Sequence, residues 1–146
     1  AIKFRNTNFY SASNPTSFSS TDFPLFRLAD AYLMYAECAI RGAAGASMST
    51  ALGYVNAVRT RSNASTVAQA DLTLDFILDE RARELNFEGH RRSDLIRFGK
   101  FTGGDYLWPW KGNTLNGTSI PDTYNLFPIP LTALEANENL TQNPGY

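Results

Sequence analysis

Between Leu25 and Arg41 the apolar positions return every three or four residues. Phe26, Ala29, Leu33, Ala36 and Ile40 form one stripe, and Leu25, Leu28, Tyr32, Tyr35 and Ala39 form a second beside it. That period predicts a helix. Two adjacent stripes predict burial on most sides, with Arg27, Asp30 and Glu37 taking the little that remains. Thr21 or Asp22 suits the N-cap, Pro24 fits a first turn, and Gly42 stops the helix. Ser47 or Ser49 opens a second helix to about Ser62. Leu52, Val55 and Val58 or Arg59 mark its inner side, and Ala51, Tyr54 and Ala57 an adjacent one. A third pattern, Leu74, Ile77, Leu78 and Leu85, starts after Asp71 or Thr73 and is predicted to run to about Phe87. Gly89 breaks it, and His90 to Phe98 resumes as a short helix closed by Gly99. Pro130 opens a last short helix, Leu131 to Ala136.

The remainder is irregular. Residues 1–20 are polar and Ser/Asn-rich, with Pro15, and read as a short strand at Ile2–Phe4 followed by loop. From Lys100 to Asn125 the chain is punctuated by Gly103, Gly104, Pro109, Gly112, Gly117 and Pro121, which predicts one long loop. A loop of that length without helices of its own is uncommon and is often functional. The closing NENLTQNPGY is expected to be extended. The first two helices, joined by a Gly/Ala/Ser turn, make a helical hairpin. The spacing of Ala36, Ala51, Tyr54 and Ala57, in a pair close to the ~34-residue period of tetratricopeptide units, suggests a tetratricopeptide-like hairpin present once. The expected class is therefore all-α: that hairpin plus further helices, with long irregular loops.

Composition narrows the function. With 43% hydrophobic and 18% charged residues, the 146-residue chain is of the kind that folds as a globular domain rather than staying disordered. A net charge of −1 supplies no basic field for nucleic acid. The single cysteine, Cys38, excludes an internal disulfide, and its helical setting predicts a buried small hydrophobe. No membrane span or signal peptide is visible. The chain begins at Ala1 in extended sequence, so it is expected to be part of a longer protein, and the missing targeting segment carries no weight about location.

The candidate chemistry concentrates between Asp79 and Gly99. Glu80, Glu84 and Glu88 recur at a spacing of four and stack on one helix face. Like charges so placed repel unless cations intervene. Arg81 and Arg83 lie beside them, and Arg91, Arg92, Asp94 and Arg97 follow the Gly89 turn. Leu85, Phe87, Leu95, Ile96 and Phe98 give the same segment an apolar side. A charge-dense yet partly buried helix requires pairing, so a structural ion network of Glu80, Arg83, Glu84, Glu88, Arg91, Arg92, Asp94 and Arg97 is expected. Glu37, Arg59 and Arg61 are its candidate partners from the first two helices. Glycoside hydrolysis needs two carboxyl groups facing each other across a cleft, ~5–10 Å apart. Carboxylates on one helix face point the same way, so no catalytic residue is assigned. His90, without a cysteine or second histidine nearby, makes no zinc site. No phosphate loop or nucleophile motif is present, and no cofactor is expected. Tyr106, Trp108 and Trp110 in the long loop are the ligand-binding candidates, because flat rings stack on the CH faces of sugars. The opposing reading is that both Trp pack down and anchor the loop.

Taken together, the helix LADAYLMYAECAIRG, the segment DERARELNFEGHRRSDLIRFG, and NLFPIP followed by NENLTQNPGY resemble the SusD/RagB family, in the family's order, from about Thr21 to Tyr146. The resemblance implies the C-terminal portion of a longer chain. The residue patterns above divide the chain into an extended lead-in (1–20), a helical hairpin (21–63), a charged helical region (71–98), and a loop, short helix and tail (99–146). The resemblance also implies a surface-exposed outer-membrane lipoprotein, its lipid anchor upstream. Such a protein binds an oligosaccharide or other nutrient without catalysis and caps a SusC-type TonB-dependent transporter. Family aromatics that contact starch lie mainly upstream, so the main ligand site is expected outside these residues. The Tyr106–Gly112 loop looks like a recurring family loop, which favours the anchoring reading. The alternative is a helical-repeat scaffold for protein–protein interaction with no ligand site of its own.

Overall fold

The computed structural model describes Lys3 and residues 22–146. The expected lead-in and the strand at Ile2–Phe4 lie outside the described residues. The described residues hold five α-helices and no strand: α1 (Leu28–Ile40), α2 (Met48–Arg61), α3 (Leu74–Glu84), α4 (Arg91–Arg97) and α5 (Leu131–Ala136). The protein is all-α. It divides into two units, residues 1–91 and 92–146.

In the first unit α1 packs on α2 and on α3. The core is Leu33, Ala36, Ala51, Val55, Val58, Leu72, Ile77, Leu78 and Leu85, all buried. Helix α1 starts three residues later than its pattern predicts. Arg27 is extended at φ −133°, ψ 147°, and its guanidinium reaches Glu84 and Glu88. The second apolar stripe is not fully buried: Leu25 is 73% and Leu28 66% exposed. The residues expected on the outer side, Asp30 and Glu37, are instead buried. Each has a guanidinium partner, Arg81 for Asp30 and Arg41 for Glu37, which lowers the cost of enclosing the charge. Cys38, expected inside, is exposed. Its neighbours Glu37 and Ala39 are buried, and periodicity alone cannot fix where the buried arc ends.

Gly42 sits at φ +80°. Its N–H bonds Ala39 O, and the Ala43 N–H bonds Cys38 O, closing α1 with a Schellman motif. Ser47 caps α2, its Oγ accepting from Thr50 N, and its own N–H donates to the Tyr35 hydroxyl at 3.0 Å. Tyr32 stacks on Tyr54 with centroids 4.2 Å apart. Asn56 clamps the following connection by accepting from Val67 N and donating to Val67 O. Thr73 caps α3.

Helix α3 stops at Glu84 rather than Phe87. In a continuing helix the Glu84 carbonyl accepts the Glu88 N–H. Here that carbonyl receives Lys3 Nζ at 2.6 Å and Arg27 Nη2 at 3.1 Å. Phe87 turns to φ +62° and Gly89 to φ +80°, and the Phe87 ring is 68% exposed.

The second unit has little regular structure. Asp94 and Leu95 are its buried positions on α4. The long loop contains short 3₁₀ turns at Lys111–Asn113 and Asp122–Asn125, and one antiparallel bridge joins Gly103 to Ile120. The two closing strings fold onto each other. Gln142 accepts from Ile129 N at 2.8 Å and donates to Ile129 O at 2.9 Å. Asn143 donates to Phe127 O, and the Tyr146 hydroxyl donates to Leu126 O. NLFPIP and TQNPGY are thus two halves of one side-chain-to-backbone clamp.

Candidate functional site

Two features hold the residues singled out in the sequence. The first is the ionic face of α3. Glu80 Oε2 accepts from Arg59 at 2.7 Å and from Arg83 at 2.7 Å. Glu84 pairs with Arg27 at 2.8 Å and Arg61 at 2.6 Å. Glu88, its side chain 1% exposed, pairs with Arg27 at 2.7 Å and with Lys3. Glu80 and Glu84 share the α3 face, whereas Glu88, expected beside them, lies past the end of the helix; Arg83 of α3 and cations from elsewhere in the chain stand against all three, which offsets the repulsion inherent in their spacing. Burial pushes the Glu88 carboxyl upward, but the hydrogen bonds and charges of Arg27 and Lys3 together outweigh it and hold the group below the usual carboxylate range. The Arg27 guanidinium is held above its ordinary value, chiefly by its hydrogen bond to Glu88.

Other members lie elsewhere. Arg91 donates to Leu78 O at 3.0 Å. Asp94 pairs with Arg97 at 3.0 Å. Arg92 donates to the carbonyls of Tyr124 and Asn125, with its guanidinium 4.0 Å from the Phe127 ring centroid and 5.1 Å from that of Phe101. Arg92 is thus satisfied by carbonyl dipoles and π faces, a mode that charge counting does not reveal. The sequence leaves Arg27 among the polar remainder of the first helix and gives neither it nor Lys3 a carboxylate, yet both pair with Glu88. Arg81, placed beside the Glu residues by sequence, pairs instead with Asp30 at 2.7 Å and joins α3 to α1. A charged residue interrupting an apolar stripe is the available signal for Arg27 and Asp30.

The second feature is the aromatic loop. Tyr106 and Trp108 lie with ring centroids 6.0 Å apart, tilted by 53°. Lys100 Nζ stands 5.9 Å from the Tyr106 ring. Trp108 is half-buried, whereas Trp110 is 63% exposed, so the expectation that both indoles pack down fails at Trp110. The backbone explains it. Trp110 occupies the left-handed region at φ +71°, ψ 6°, which throws its side chain off the turn. For a bulky L-residue that conformation costs of order 1–3 kcal/mol and persists only where the surroundings enforce it. The enforcing bonds run from Trp110 N to Thr114 O, from Lys111 N to Trp108 O and from Asn113 N to Trp110 O, each 3.0 Å. Gly117 at φ +75° completes the turn, since a Cβ there meets Trp108 O at 2.5 Å. Lys111, read only as a loop residue, is the buried centre of this turn. Among the described residues no cluster of metal-ligating side chains occurs, and no helix is long and apolar enough to cross a membrane.

The family model described as the SusD family matches residues 2–146. The chain belongs to the SusD family. It is 45% identical over 142 residues to the starch-binding protein SusD of Bacteroides thetaiotaomicron, covering 95% of this chain and 25% of that protein. It is 38% identical over 134 residues to the SusD-like protein P25 of Formosa agariphila, covering 84% of this chain and 24% of that one. Among solved structures it resembles a SusD superfamily protein of Bacteroides vulgatus at TM-score 0.65 and 35% identity, covering 84% of this chain and 27% of the other. It also resembles the surface glycan-binding protein A of Bacteroides uniformis at TM-score 0.65 and 28% identity, covering 83% and 27%. The chain spans about a quarter of the length of the curated relatives it matches.

Proposed function

We propose that this chain is the C-terminal part of a non-catalytic, SusD-like glycan-binding protein that works with a SusC-type TonB-dependent transporter at the outer membrane. A lipid anchor and the main oligosaccharide site lie outside these residues. The observation that carries this reading is the family match along residues 2–146, with relatives named for starch and surface glycan binding. Two features of the site support it. The carboxylates of α3 are engaged with guanidinium and ammonium groups, which leaves them unsuited to acid–base hydrolysis. The exposed Trp110, and the Tyr106 and Trp108 rings of the same loop, offer faces on which a pyranose stacks without bond making. In calorimetry with the glycan that the parent binds, Trp108→Ala and Trp110→Ala are expected to weaken affinity, Glu84→Gln to leave it unchanged, and no product to form. Intact affinity in both Trp variants places the contact surface elsewhere.

A second reading, a docking scaffold without its own ligand site, draws on the exposed Leu25, Phe26 and Leu28 and the adjoining cleft of about 360 Å³ between α1 and α2. Transporter pull-down with and without sugar separates the two: sugar-independent capture together with unaltered glycan affinity in the Trp variants supports the scaffold.

A further inference from the structure

Lys111 is 1% exposed. Its ammonium donates to Gly103 O at 2.9 Å and Tyr106 O at 2.7 Å, and it stands 4.8 Å from the Trp108 ring centroid. Three N–H donors thus meet two carbonyls and one π face. Among the described residues no carboxylate pairs with it. An enclosed ammonium without a counter-ion is costly, and here its whole coordination is spent on the aromatic loop. Gly103 anchors the bridge to Ile120, while Tyr106 and Trp108 are two of the three rings. The main chain of the same residue ties in the rest, its N–H to Trp108 O and its carbonyl from Thr118 N, each 3.0 Å. The adjacent residue is the left-handed Trp110.

We infer that Lys111 is a positioning residue: its buried ammonium presets Tyr106, Trp108 and Trp110 as a rigid platform for the apolar faces of pyranose rings. This rests on the glycan-binding reading above. A preset platform binds more tightly because the loop is not ordered at the ligand's expense. Removing the ammonium therefore weakens affinity through the loop, with the helices intact.

The test uses the longest natural chain containing this sequence. A glycan array selects the oligosaccharide the parent binds best. Calorimetry then compares the parent with Lys111→Met, Trp110→Ala and Val55→Ala, at a temperature where melting curves show each folded. Lys111→Gln, which keeps donors but no charge, replaces the Met variant if that one does not fold. Lys111→Met is expected to raise Kd roughly tenfold or more and to speed amide exchange across 103–118 by a similar factor, with exchange in α1 to α3 unchanged. Val55→Ala, which opens a cavity in the core of the first unit, is expected to lower Tm and leave Kd alone. Parental Kd in Lys111→Met beside lost affinity in Trp110→Ala overturns the positioning role and leaves the glycan reading standing. Parental Kd in Trp110→Ala overturns the positioning role, because the rings then carry no glycan, and a parent that binds no glycan on the array overturns the glycan reading with it.

Discussion

Substituting Arg81 by Met removes the cation that neutralises Asp30. The Arg81 side chain is 2% exposed and that of Asp30 11%, with 2.7 Å between Nη1 and Oδ1. At a charge separation of about 4 Å and an effective dielectric of about 20, the lost attraction is about 4 kcal/mol. The carboxylate stays enclosed, so water does not restore its solvation. Breaking buried pairs in this way typically costs about 3–5 kcal/mol. A loss of about 4 kcal/mol is a large part of the roughly 5–15 kcal/mol that holds a domain folded, and corresponds to a fall in Tm on the order of 10 °C. Urea denaturation followed by circular dichroism measures it. Asp30→Leu combined with Arg81→Met is expected to recover most of the loss, since two apolar groups replace two desolvated charges. A loss under about 1 kcal/mol for Arg81→Met, at unchanged m-value, refutes the reasoning, because the pair then behaves as a solvated one.

Glu88 makes stability acid-sensitive. Its folded pKa lies below the ordinary glutamate value of about 4.5. Its contribution is therefore complete above about 4.5 and is lost as pH falls through the lower folded value. Glu88→Gln is expected to flatten that limb of a stability-against-pH curve, and an unchanged slope refutes the assignment. Gln142→Ala removes both hydrogen bonds to Ile129; at about 0.5–1.5 kcal/mol each it is expected to cost roughly 1–3 kcal/mol and to speed amide exchange at Ile129. The exposed Cys38 thiol is expected to be alkylated in the native protein by a maleimide as readily as in urea, and protection that only denaturant relieves counts against its placement.

Much of the helical frame was legible because burial leaves a period. Leu33, Ala36, Val55, Val58, Ile77 and Leu78 recur at helical spacing and form the core. Ser47, Thr73 and Gly42 mark helix ends by local hydrogen bonding, which involves only a few neighbouring residues. The carboxylates of α3 announced their need for cations by repelling at a spacing of four. Arg83 answers locally and Arg59 and Arg61 are the candidates from the second helix; the remaining cations come from segments that no local pattern points to. Arg27 reaches Glu84 and Glu88 from ahead of α1, and in doing so sets where α1 begins and, through the Glu84 carbonyl, where α3 ends. Asp30, polar by sequence, is buried only because Arg81 lies against it.

The aromatic loop divides the same way. Its residue types were open to inspection, but exposure of Trp110 follows from one left-handed backbone conformation that bonds to Thr114 and Asn113 enforce. Side-chain period carries no information about such a turn. The sequence by itself determined which segments coil and which charges had to be matched, because both depend on interactions within a helical turn or two. Tertiary structure alone decided the partners, the helix limits and the face that Trp110 shows, because these depend on groups brought together across the fold.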